Sequence, residues 1–194
     1  MPQKFTLTYR LWHWLMALSV LGLLATVLLR KTFLSWRSNS EIIQTQLAQL
    51  GTDITAESAK VIAKAIRAPM WEWHYTFAVI LGISIALRIY MMVSKQAELP
   101  ILTFMKAKGT QQKLKVGTHM LLCLSIAIMA ISGTLLYFHE FLGVSKEGAD
   151  GIKEFHEFMM QPLILFVLMH FAGVLRHELT TKEGIVSKMI HGDS

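Results

Sequence analysis

Four stretches of this chain are apolar over the length needed to cross a bilayer, and they constrain its architecture more than any other feature. Residues 11–29, 73–93, 118–138 and 158–175 each fall in or near the window of roughly 17–25 mainly apolar residues required to span the hydrocarbon. Only the second contains a formal charge, Arg88. In lipid the backbone must satisfy its own hydrogen bonds within the segment, so helices are the form these runs take. The expectation is an all-α integral membrane four-helix bundle, a single transmembrane domain over residues 1–194. The composition agrees: 53% hydrophobic and 16% charged residues are far from the balance of a soluble domain with a polar shell.

An even number of crossings places both termini on one side. Lys4, Arg10, Lys95, Lys106, Lys108, Lys113, Lys115, Arg176, Lys182 and Lys188 lie on that side, against Arg30, Lys31, Arg37, Lys60, Lys64, Arg67, Lys146 and Lys153 on the other, most of them in one long loop. The positive-inside bias is weaker in long loops, so both termini are expected in the cytoplasm and the long loop in the periplasm. The net charge of +6 does not point to nucleic acid, because the cations sit between apolar runs rather than beside aromatics on a soluble face. The single cysteine, Cys123, excludes an intrachain disulfide and a multi-cysteine metal site. No cleavage pattern of small residues follows the first apolar run, which therefore reads as a retained span.

The insertion at about residues 31–72 is too long for a turn. Within it, residues 55–67 (TAESAKVIAKAIR) predict a short helix capped by Thr55 and ended by Pro69. A second is expected over residues 41–50, with Ile42, Ile43, Leu47 and Leu50 on one side. Such a pair serves either as a lid on the bundle or as a docking surface for a partner.

The chemistry resides in the histidines. His13, His74, His119 and His170 fall inside apolar segments, with His156 at the entrance to the fourth, and ionisable residues there are costly enough to be functional candidates. His156 and His170 are fourteen residues apart, which returns to nearly the same helix face about 21 Å further along. Two ligands on one stripe suit two sites, one near each membrane face. Depth arithmetic pairs His13 with His170 at the inner level and His74 with His156 at the outer level. Facing imidazoles across an apolar bundle suit haem iron, whose macrocycle supplies the equatorial nitrogens, whereas zinc would want further protein ligands.

Three polar residues surround the inner level. His119 is at the depth of His13 and His170, so it either replaces His13 at the iron or bonds a haem propionate or quinone. His177 lies seven residues after His170 on the same face, and suits a quinone oxygen, a propionate or a solvated headgroup position. Arg88 follows His74 by fourteen residues and descends to the inner level, where a buried guanidinium seeks a carboxylate such as a propionate, unless it snorkels to the headgroups. His139 competes only for the outer site, and His191 reads as an exposed tail residue. Gly22, Gly82, Gly117, Gly133 and Gly173 permit close helix approach or clearance for a flat macrocycle.

These residues carry a resemblance. YRLWHWLM around His13, WEWHYTF at His74 with Arg88 beyond it, GTHMLL at His119, KEFHEFM at His156 and LMHFAGVLRHE at His170 and His177 resemble the prokaryotic cytochrome b561 family across nearly the whole chain except the first loop. The resemblance implies a di-haem protein of the bacterial inner membrane with two haem b groups on the four matching histidines. It also implies a quinone, ubiquinone or menaquinone, near the inner haem, and superoxide as one candidate electron donor at the periplasmic face. The long first loop departs from the compact family pattern and bears on whether the outer haem is open to solvent. The fold is also similar to the b subunits that anchor periplasmic dehydrogenases and c-type cytochromes, so a periplasmic redox partner is the alternative donor. A proton or metal-ion path in a small transporter is the non-redox alternative.

Overall fold

The computed structural model describes residues 6–181 and 184–192, and among these it contains helices and no strand. Lys4 and Lys182, which entered the charge comparison, lie outside the described residues. In chain order the helices are α1 (Leu7–Lys31), α2 (Trp36–Gln49), α3 (Ala56–Arg67), α4 (Pro69–Val93), α5 (Pro100–Lys106), α6 (Thr110–Tyr137), α7 (Lys146–Thr181) and α8 (Ile185–His191). Four of the helical stretches are long and apolar enough to cross a membrane, and they contain the four predicted spans, save that Phe138 caps α6 rather than belonging to it.

The local chemistry explains most boundaries. Thr55 caps α3, its hydroxyl accepting from Ser58 N at 3.1 Å. Pro69 opens α4, where its missing N–H and fixed φ cost nothing. The first loop does hold two short helices, but α2 begins at Trp36 rather than Glu41, directly after Ser35, whose extended backbone stands at the N-cap. The largest departure is α7, whose 36 residues correspond to about 54 Å, well beyond the hydrocarbon thickness. Its first turn is helical because Ser145 serves as a start signal, its Oγ accepting from Gly148 N at 3.2 Å. His156 therefore lies within a helix already under way. The small α5 and α8 were not foreseen, being too short to show periodicity.

The chain separates into two compact units. One comprises the beginning of the chain to Trp14 together with everything from Ser84 onward, and the other comprises Leu15–Ile83. Within the first, α6 and α7 pack along each other, α5 lies against α6 and α8 against α7. Trp12, 5% exposed, donates its indole N–H to the backbone carbonyl of Ser84 at 2.8 Å. That bond joins α1 to α4 in apolar surroundings, where an unpaired indole N–H would be costly. Glu98 and Lys106 form an ion pair at 2.8 Å beside α5, and the ammonium holds the Glu98 carboxyl below the usual carboxylate range.

Within the second unit, α2 and α3 pack together, with Ala59 and Ala63 of α3 fully buried. Gly22 of α1 lies against the Phe77 ring of α4, and a Cβ there would meet three ring carbons at 2.7 Å. Such overlap demands a shift of the ring or the helix. Gly22→Ala is expected to cost about 1–3 kcal/mol of stability, read as a lowered unfolding temperature in detergent, with part of the loss recovered when Phe77 is shortened to Leu.

Outward from these contacts the long helices present large apolar side chains. Leu18 is 61% exposed, Leu168 60% and Phe158 64%, values that in water would make an adhesive surface. A bilayer covers them.

Candidate functional site

Helix α7 carries His156 and His170 on nearly one face, with Pro162 between them. Proline inside a helix removes a backbone donor, a loss that neighbouring helices make tolerable in membranes. From this helix the inner cluster is assembled. The His13 ring on α1 lies 6.3 Å from the His170 ring, centre to centre, and the His119 ring on α6 lies 6.5 Å from it. Three imidazoles from three helices thus converge on one level, all of them half-buried.

The spacing has chemical content. A metal–imidazole bond is about 2 Å long and the ring centre lies about 1.1 Å beyond the nitrogen, so two imidazoles on opposite sides of one metal place their centres about 6 Å apart. His13 with His170 meets this, and so does His119 with His170. The two differ in their partners. The Nδ1 of His13 is buried without a hydrogen-bond partner, whereas that of His119 lies 3.8 Å from the Cys123 thiol one turn along α6. A buried imidazole nitrogen that the protein leaves unpaired fits a site completed by a bound group.

Arg88 belongs to the same level. Its guanidinium lies 4.7 Å from the Trp12 ring centre and 5.9 Å from that of Tyr9, and its Nη1 is buried with no hydrogen-bond partner. Snorkelling to water would have exposed that nitrogen. Aromatic faces hold the cation but do not use its N–H groups, so the arrangement fits an anionic oxygen such as a haem propionate. Trp12 and Tyr9 escaped the sequence reading. The signal was there: aromatics one helical turn apart next to His13, in a chain with one intramembrane arginine.

His156 is held by α6. Its Nδ1 lies 2.8 Å from the Ser132 hydroxyl, and a Cβ at Gly133 would come within 3.2 Å of its Cε1, so the glycine leaves the ring room. His74, in the other unit, has its Nδ1 2.8 Å from the Thr26 hydroxyl on α1, with Trp71 edge-on at 5.8 Å between ring centres. Neither hydroxyl was singled out from the sequence, although each is a polar group inside an apolar run within a few residues of the expected outer level.

The remaining histidines sit at the ends of helices. His177 is half-buried two turns beyond His170 on α7. His139 has its Nδ1 2.8 Å from the Leu136 carbonyl of its own helix end. His191 is exposed, as expected, but it closes the short helix α8 rather than trailing as a tail. That helix is tied to α1: Arg10 Nη1 donates to the Ile190 carbonyl at 2.8 Å and Trp14 Nε1 to the Met189 carbonyl at 3.2 Å. Among the described residues no group of three or more His, Cys, Asp or Glu side chains is arranged to hold a bare metal ion.

Compared with known proteins, residues 4–192 match the family model described as prokaryotic cytochrome b561. No curated protein and no solved structure matches the chain.

Proposed function

Since the chain belongs to the prokaryotic cytochrome b561 family, and is accordingly a multi-pass bacterial membrane protein that binds haem b and transfers electrons, we propose that it links a periplasmic electron donor to the quinone pool of the inner membrane through two haems. The chain acts as one transmembrane domain with both termini cytoplasmic. The observation that carries this reading is the 6.3 Å spacing of the His13 and His170 rings, with the His13 Nδ1 buried and unpaired.

When bound, haem iron supplies the one-electron chemistry, and the protein's part is to hold, orient and tune it. His13 and His170 hold the inner iron. His74 and His156, paired by depth, hold the outer one. Arg88 takes a propionate of the inner haem, which neutralises a carboxylate that apolar surroundings would otherwise disfavour. His119 and His177 bracket the inner level and offer hydrogen bonds to a quinone, ubiquinone or menaquinone. Reducing a quinone to quinol consumes two electrons and two protons, and an imidazole near the cytoplasmic surface is suited to pass those protons.

The donor is superoxide, oxidised to dioxygen by loss of one electron, or a periplasmic c-type cytochrome or dehydrogenase. Positive charge near the outer level favours an anionic donor of either kind. Trp36 on α2 has Arg37 at 4.9 Å, Lys60 at 5.6 Å and Lys64 at 5.8 Å from its ring centre, a cationic surface on the long loop that suits docking of an acidic partner. Direct turnover of superoxide by the isolated protein separates the two.

The purified protein is expected to show a low-spin b-type spectrum with two haems per chain. Both should extract into acidic organic solvent, because the sequence contains no CxxCH attachment motif. A haem assay giving one per chain at full occupancy would overturn the two-site reading.

A further inference from the structure

Trp12 meets the turn of α4 that carries Arg88 in two ways at once. Its indole N–H donates to the Ser84 carbonyl at 2.8 Å, and its ring centre lies 4.7 Å from the Arg88 guanidinium carbon. Within α4 the Ser84 carbonyl is the acceptor for the amide of Arg88, four residues on, and its second lone pair is free for the indole. The bond therefore pins the turn on which Arg88 stands, while the ring face fixes where the side chain goes. Both Trp12 and Ser84 are buried, so water does not compete for the bond. Tyr9, one turn back on α1, adds a second ring, 5.4 Å from that of Trp12 and 5.9 Å from the guanidinium carbon.

Aromatic faces are an unusual choice for holding an intramembrane cation, and the choice has a consequence. A carboxylate in the same place would neutralise the guanidinium, whereas two rings attract it and leave its charge whole. They also leave its donors unspent: Arg88 Nη1 is buried with no hydrogen-bond partner. An undiminished positive charge beside the inner level favours the reduced, less positive iron, and how strongly depends on where the guanidinium is held. We propose that Trp12 is a positioning residue that acts through Arg88, keeping the guanidinium on a propionate of the inner haem and so raising that haem's potential. The inference rests on the reading that Arg88 takes such a propionate, and it does not involve the outer haem.

The test is a redox titration of the detergent-purified holoprotein in wild type, Arg88→Gln, Trp12→Leu and Trp12→Phe, with each Trp12 change made also in the Arg88→Gln background. The component missing in His170→Ala identifies the inner haem. Arg88→Gln should lower its potential, cutting the reduced-to-oxidised ratio at fixed ambient potential about tenfold, the size of one hydrogen bond to a charged group. Trp12→Leu should cut the ratio about threefold, the size of one cation–π contact. Trp12→Phe, which keeps an aromatic face and loses the N–H, should fall between wild type and Trp12→Leu. In the Arg88→Gln background neither Trp12 change should move the potential further, because the cation that Trp12 holds is gone. An inner potential unmoved by Trp12→Leu, or lowered equally with and without Arg88, would overturn the proposal. Should Trp12→Leu lose the inner haem, Trp12→Phe decides by the same two criteria. An inner potential unmoved by Arg88→Gln would instead overturn the propionate reading itself.

Discussion

Replacing His170 with alanine is expected to remove one haem completely while leaving the other in place, halving the haem-to-chain ratio and deleting one low-spin component from the spectrum. His170 is the point on which both other inner imidazoles converge, His13 at 6.3 Å and His119 at 6.5 Å between ring centres. No substitute ligand can take its place from α7, because the neighbouring turns present apolar side chains. His156→Ala should delete the other component, since the two positions stand about 21 Å apart along one helix. The same assay resolves the choice at the inner level. If His13 is the second ligand, His13→Ala reproduces the His170 result while His119→Ala keeps a low-spin inner haem. The reverse outcome would assign the iron to His119. Should either α7 variant abolish both components equally while remaining folded, separate sites would have no support.

The second large effect is expected at His177. It lies half-buried on α7, beyond His170 towards the chain's C-terminal end, and the proposed quinone needs a hydrogen-bond donor there together with a route for protons. His177→Ala should keep both haems and slow anaerobic haem reduction by a short-chain quinol about a hundredfold, within the range typical of a lost acid–base group. His191→Ala is the matched control. That residue is exposed at the end of α8, whose attachment to α1 runs through the backbone carbonyls of Met189 and Ile190 and not through the imidazole. An unaltered rate in the His177 variant would move the quinone site away from this end of α7.

Much of this architecture was legible from local pattern. The apolar runs marked all four long helices, and the capping chemistry of Thr55 and Pro69 bounded α3 closely. The start of α7 was missed because its first turns, KEGADGIKEF, are polar and rich in glycine, and only the Ser145 cap marks them as helical. Helices α5 and α8 span seven residues each, two turns, which is too short for an apolar period to stand out. The convergence of His13 and His170 was expected from depth alone, and the structure brings those rings together. That His119 approaches His170 almost as closely was left open by the same arithmetic.

By itself, then, the sequence determined how many helices are long enough to cross a bilayer and which residues share a face of each, because a helix repeats every 3.6 residues and lipid leaves the backbone no other way to pair. Tertiary structure alone decided which side chains from different helices meet. Trp12 reaches the Ser84 carbonyl, Arg88 settles on Trp12 and Tyr9, Ser132 receives His156, Thr26 receives His74, and Arg10 holds the end of α8. Those meetings depend on the rotation and depth of one helix against another. Rotation and depth are set by the packing of many side chains at once, and no spacing within a single segment encodes them.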